Sequence, residues 1–301
     1  MDEPPPPRRY LPFEAGPWRM AMGLVAAPIA ALFEIDGDYE AQMALRRRLL
    51  AGRHTEVFAA LEEAGPACRA TLELVAAHLP AHHPQWFASD GRHLSNRLTG
   101  EDWDIDNPPC DPLELAGRLV QEDLCVLEPG PAGPVLAAAV LCFPTRWRLA
   151  EKLGRPVGAI HGPVPFFAER LAGPVERFMA LLKPGRLVER FNWSILDDPA
   201  LFQPGGHGRT EHDPAFTARN AGERLWLRVE RQTLSRVPGA SAILFTIKVH
   251  QTPIEAIAGE PAIAGRLAEA IRALPEETAR YKSLLPFRAA LLGFLDRRAA
   301  P

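Results

Sequence analysis

Leu225-Trp226-Leu227-Arg228-Val229-Glu230-Arg231-Gln232-Thr233 is the stretch on which the fold turns. Leu225, Leu227 and Val229 alternate with Trp226, Arg228 and Glu230, the period of two that marks a β-strand with unlike faces. After a turn at Val237-Pro238-Gly239, the run Ala242 to His250 reads as its antiparallel partner. Arg228, Glu230 and Gln232 then share one face while Val229, Arg231 and Thr233 share the other, so charge is present on both. Such charge suits either a cross-strand salt-bridge ladder or an Arg/Glu pair turned toward a ligand.

Working outward, Cys125 to Glu128 and Val135 to Phe143 form a second apolar pair, joined by Pro129-Gly130-Pro131-Ala132-Gly133-Pro134. Helices are predicted over Tyr39 to Leu50, Pro66 to Leu79, Pro112 to Leu124, Pro163 to Leu182 and Pro261 to Leu274. Asp111 serves as N-cap of the third, with Pro112 in its first turn. Arg46-Arg47-Arg48 reads as a solvated face, and Pro80 as the stop of the second helix. The result is an α+β chain built on an antiparallel sheet, expected to fold as one domain over 1–301, with 1–15 an extended arm.

The chain has 301 residues, 47% of them hydrophobic and 24% charged, which suits a folded protein with a large core. Its formal charge of -3 gives no surplus for gripping nucleic acid or an anionic membrane. The acidic, proline-rich start and the shortness of every apolar run predict neither a secretory signal nor a membrane helix. Cys68, Cys110, Cys125 and Cys142 show no C-x-x-C spacing, so no cysteine-ligated cluster is expected, and a reducing cytoplasm fits. Neither G-x-G-x-x-G nor G-x-x-x-x-G-K is present, which disfavours a nucleotide fold.

Three groups of histidines bear on chemistry. His78, His82 and His83 have the letters of a metal cluster, but Leu79-Pro80 is expected to break the helix that would align them. His207 and His212 fall in Gly205-Gly206-His207-Gly208-Arg209-Thr210-Glu211-His212-Asp213, a polar surface loop in the ordinary reading and a non-haem iron site in the other. His161 differs, because it follows the apolar Val157-Gly158-Ala159-Ile160, read as a strand, and precedes Gly162-Pro163-Val164-Pro165-Phe166-Phe167. A stiff, apolar strand-to-helix junction suits either an axial haem ligand or a buried histidine bonded to a carbonyl. Asn192-Trp193-Ser194 adds donors and a large ring, and Trp193 equally suits a core position.

Phe143-Pro144-Thr145-Arg146-Trp147, Glu151-Lys152-Leu153-Gly154, Ile160-His161-Gly162-Pro163-Val164-Pro165, Arg190-Phe191-Asn192-Trp193-Ser194-Ile195, Arg228 to Leu234 and Leu244-Phe245-Thr246-Ile247 occur in one order. Together they resemble the haem-dependent oxidative N-demethylase family. The resemblance implies a PAS-like antiparallel sheet wrapped by additional helices, holding haem b. It implies O2-dependent demethylation of a small secondary or tertiary methylamine, dimethylamine-like, with release of formaldehyde. Electrons would come from partner flavin and iron-sulfur reductase subunits.

Carried over residue by residue, the resemblance makes His161 the iron ligand and places Arg228, Glu230 and Arg231 in the catalytic pocket. Arg146, with Arg148 and Lys152, would meet the haem propionates, and Pro163, Asn192 and Trp193 would help to frame the cofactor. Two rivals stay open: a PAS-like haem or small-ligand sensor that catalyses nothing, and an assembly role in which the polar strand is only a salt-bridge ladder. Within haem chemistry, Cys142 is the alternative ligand, although its apolar setting favours an inert thiol.

Overall fold

A computed structural model describes residues 3–206 and 208–300 of the chain. The strands, in order, are β1 (Val25–Ala27), β2 (Phe58–Ala60), β3 (Phe87–Ser89), β4 (His93–Asn96) and β5 (Glu101–Asp104), then β6 (Asp123–Glu128), β7 (Val135–Val140), β8 (Leu187–Leu196), β9 (Trp226–Arg236) and β10 (Ile243–Pro253). Seven of them form one antiparallel sheet in the order β1-β8-β9-β10-β6-β7-β2, and β3-β4-β5 form a small second sheet. The α+β class with a large antiparallel sheet is therefore as expected.

β9 and β10 pair from Trp226↔Pro253 to Arg236↔Ile243, so the hairpin extends beyond the alternating letters. β8 lies along the other side of β9, from Leu187↔Ser235 to Leu196↔Trp226. Directly opposed residues share a face. Arg190, Asn192 and Ser194 of β8 thus stand with Gln232, Glu230 and Arg228 of β9, whereas Phe191 and Lys248 flank Arg231 on the reverse.

The first face is covered by the segment 149–182: Cys125, Leu127, Leu234 and Ile243 pack with Leu149, Val157, Met179 and Leu182. On the reverse face, one end packs under the helices Tyr39–Gly52, Gly65–His82 and Pro112–Gly117. The other end packs Ile195, Leu227 and Val229 under the C-terminal helices Pro261–Ala273 and Arg288–Ala299. Among the described residues no helix is long and apolar enough to cross a membrane.

Several expectations are corrected by packing. Pro80 does not stop its helix, which runs from Gly65 to His82. In the last turn a proline forfeits one bond, and His83 N still donates to Leu79 O at 2.8 Å. The helix opened by Asp111, whose Oδ1 accepts from Leu113 N at 2.8 Å, ends at Gly117 and not at Leu124. Gln121 and Glu122 are instead drawn into long-range bonds, to Asp36, Gln42 and the Glu34 amide. Gly117 itself packs flush on β7, since a Cβ there would lie 2.8 Å from Val140 Cγ1.

The single helix expected from Pro163 to Leu182 is broken into Phe167–Arg170 and Ala172–Leu181. Pro165 disfavours helix at the residue before it, and Phe166 takes φ +64°. The basic run at 46–48 is not one solvated face: Arg46 is wholly buried, 3.1 Å from Asp123, and donates to Gln121 O and Glu122 O. Arg47 pairs with Glu101, and only Arg48 is exposed. The arm at the N-terminus packs down through Phe13 and Tyr10, whose hydroxyl donates to Glu34 at 2.6 Å.

Glu34 is the hub of the reverse face. His250 lies 3.2 Å away, Arg231 3.7 Å and Lys248 4.0 Å. Burial pushes its carboxyl up, but the contact with His250, the charge of Arg231 and the Tyr10 bond outweigh it and bring it down to about 2. A carboxyl lowered on folding stabilises the fold above its ordinary range and loses that contribution as pH falls from about 4.5 toward 2. Urea titrations at pH 5 and pH 3 should therefore show a drop that Glu34→Gln removes, of roughly 2 kcal/mol. An equal drop in the variant would exclude Glu34 as its source.

Candidate functional site

On the covered face of the sheet, Glu230 is surrounded by donors. Thr145 donates to its Oε1; Gln232 and Asn192 donate to its Oε2 at 2.8 and 3.2 Å. β8 and β9 place Asn192 directly opposite Glu230, and Gln232 is two residues along the same strand face. Lys282, just after the helix Glu276–Tyr281, donates to Asn192 Oδ1 at 3.1 Å and to Trp193 O at 2.6 Å. Burial pulls the Lys282 ammonium down to about 8, against the attraction of Glu230. Burial and then the charge of Glu230 raise the Tyr281 hydroxyl.

Arg228 is 1% exposed and is spent on scaffolding. It donates to Thr145 Oγ1 at 2.9 Å, to Phe143 O at 2.8 Å, to Leu201 O at 3.0 Å and to Ala200 O at 3.1 Å. It holds the hydroxyl that holds Glu230, while burial lowers its guanidinium to about 10. Arg231 belongs elsewhere. On the reverse face it pairs with Glu189 at 2.8 Å and donates to Ala31 O at 2.6 Å. The expected trio does not converge: Arg228 and Glu230 share one face of the sheet and Arg231 lies on the other, because neighbours along a strand point oppositely.

His161 follows a single helical turn, Val157–Ile160, where a strand was expected. Four apolar residues fit either form, and here Ile160 N donates to Pro156 O and His161 N to Val157 O, closing the turn. The ring is fixed on two sides. Nδ1 donates to Val157 O at 2.8 Å, and the ring stacks on Phe167 at 4.6 Å between centroids and 14° between planes. Lys152 Nζ donates to Ile160 O at 3.0 Å, which steadies the turn end, and Val164 N donates to His161 O around Pro163.

Burial lowers the imidazole's pKa, so at neutral pH the ring is the neutral Nδ1–H tautomer. Nε2 has no partner among the described residues. The carbonyl-bonded reading of this histidine is thus realised through one nitrogen only, and that bond orients the other.

Between these groups lies Arg190. Its charge acts on His161 and it is drawn by Glu230, yet its buried Nε finds no hydrogen-bond partner among the described residues. Burial lowers its guanidinium's pKa, against the attraction of Glu230.

Of the other expected cofactor residues, Asn192 stands in the cluster by its bonds to Glu230 and Lys282. Trp193 turns to the reverse face, edge-on to Phe13 at 5.9 Å. Arg146 pairs with Asp197 at 3.1 Å and Arg148 is exposed, so with Lys152 bonded to Ile160 O the three bases do not converge. Burial pushes the Cys142 thiol up to about 12, as suits an inert cysteine. The rings of His78 and His82 do come together, 4.4 Å between centroids and tilted by 48°, because the helix continues past Pro80. No group of three or more potential ligands among the described residues is placed to hold a metal ion. His207 lies outside the described residues.

Thr145, Arg190, Gln232, Tyr281 and Lys282 were not singled out as site residues from the sequence. Thr145, Arg190 and Gln232 lie in motifs noted there, but only strand register and tertiary contact bring the five toward Glu230.

An oriented imidazole nitrogen and a guanidinium Nε, both without partners among the described residues, and a donor-ringed carboxylate are in reach of one sheet face, an arrangement that could hold a ligand with both a Lewis-acidic and an anionic part. Over residues 23–292 the chain matches the family described as haem-dependent oxidative N-demethylase, alpha subunit-like, and it belongs to that family. The residues fit the haem this implies. His161 Nε2 would be available to hold the iron, and Arg190, in electrostatic range of both His161 and Glu230, would suit a propionate.

Proposed function

We propose that the chain, as one haem-binding oxygenase domain over 1–301, demethylates a small secondary or tertiary methylamine of the dimethylamine kind. The observation that carries this reading is that His161, with Nδ1 on Val157 O and no partner for Nε2 among the described residues, and Glu230 are both in electrostatic range of the buried Arg190. The antiparallel sheet with helices packed against it supports the PAS-like description. Haem b held by His161 would supply oxygen activation.

The chain's own residues do the rest. Glu230 receives the amine as a cation and compensates its desolvation, which costs several kcal/mol for an unpaired charge. Thr145, Asn192 and Gln232 hold the carboxylate in one orientation, and Arg228 fixes Thr145. Lys282 and Tyr281 border the carboxylate and can hold protons beside it. The segment 149–182 covers the face and keeps water from it.

For dimethylamine, the amine, dioxygen, two electrons and two protons give methylamine, formaldehyde and water. The electrons would come from flavin and iron-sulfur reductase subunits, in line with an alpha-subunit-like family name, in the cytoplasm. Haem-loaded protein with a surrogate electron donor should release one formaldehyde per dimethylamine consumed. Absence of formaldehyde across mono-, di- and trimethylamine, with the haem bound and reduced, would reject the reading in favour of ligand sensing.

A further inference from the structure

A second polar depression, of about 420 Å³, opens beside the loop that carries Thr145. Its lining includes Arg146, Asp197, Asp198 and Arg209. The side chain of Arg146 is 6% exposed and projects from a left-handed backbone, φ 60°, pinned by its N–H to Gln203 O at 2.6 Å. A bulky residue in that conformation is uncommon and is tolerated where a side chain must be aimed. Asp197 binds Arg146 through Oδ1 at 3.1 Å and Arg209 through Oδ2 at 2.5 Å, drawing the two guanidiniums together.

Arg146 Nη1 is buried without a partner among the described residues. Asp198 spends its carboxylate on the Ala200 amide alone and carries no ion pair among the described residues. One carboxylate between two guanidiniums leaves a net positive charge, and Asp198 leaves a negative one.

We propose that this depression binds a small zwitterion of the free α-amino acid class, its carboxylate on Arg146 and Arg209 and its ammonium on Asp198. The site is separate from the Glu230 cluster and does not depend on the demethylase reading. A bare anion would meet Asp198, and a bare amine would meet two guanidiniums, so both are disfavoured relative to a molecule with both poles.

The test is calorimetric titration of the haem-loaded full chain with L-alanine, acetate and ethylamine. Alanine should bind saturably, and acetate and ethylamine at least about tenfold more weakly. Arg209→Gln, at a half-exposed position the fold does not need, should weaken alanine about tenfold. Arg148→Gln and Glu230→Gln should leave alanine binding unchanged. No saturable binding of alanine, equal binding of acetate, native affinity in Arg209→Gln, or loss of alanine binding in Glu230→Gln would each overturn the proposal.

Discussion

Glu230→Gln is expected to lower kcat/KM for the methylamine about 100- to 1,000-fold while leaving haem content unchanged. The variant keeps the shape of the side chain but removes the charge that meets a desolvated ammonium. Leaving one member of a buried ion pair uncompensated costs about 3–5 kcal/mol, which is two to three orders of magnitude in rate. The glutamine amide also turns an N–H toward one of the donors Thr145, Asn192 and Gln232, so some orientation is lost as well. Formaldehyde release measured against amine concentration, with the absorbance of the haem as an internal control, checks it. A variant within threefold of the native enzyme would show that Glu230 does not hold the amine.

His161→Ala should abolish stable haem binding while leaving the fold. The ring lies partly buried against Phe167, and its one hydrogen bond among the described residues goes to its own turn. The apolar cluster beneath it, with Leu149, Val157 and Met179, does not need the imidazole. Exogenous imidazole should restore the haem absorbance band in His161→Ala, since it returns the missing donor to the space left by the side chain. Cys142→Ala should keep haem, because that thiol is buried and held well above the range in which it ionises. Retention of haem by His161→Ala together with its loss from Cys142→Ala would reverse the assignment.

How far the letters alone carried can be judged from particular residues. The hairpin of β9 and β10 was legible because a period of two leaves no freedom of face, and the same parity already set Arg231 apart from Arg228 and Glu230. That His161 sits at a stiff junction was legible, but not the backbone form of that junction, since four apolar residues suit a strand or a helical turn equally.

The burial of Arg46 was hidden because its partner Asp123 comes from a distant strand, and a run of three arginines looks solvated until that partner is placed. Arg190 was hidden for the opposite reason. Its significance is that nothing pairs with its buried Nε, and a missing partner cannot be read from letters. Lys282 reaches Asn192 and the Trp193 carbonyl from the C-terminal helical region, a contact set by the packing of that region on the sheet.

The most direct measurement is anomalous diffraction at the iron edge from crystals of the haem-loaded protein. The iron should lie bonded to His161 Nε2, on the face of the sheet that carries Glu230, with Arg190 at the rim of the porphyrin. Iron bonded to any other side chain, or His161 Nε2 turned to solvent with the porphyrin elsewhere, would contradict the account.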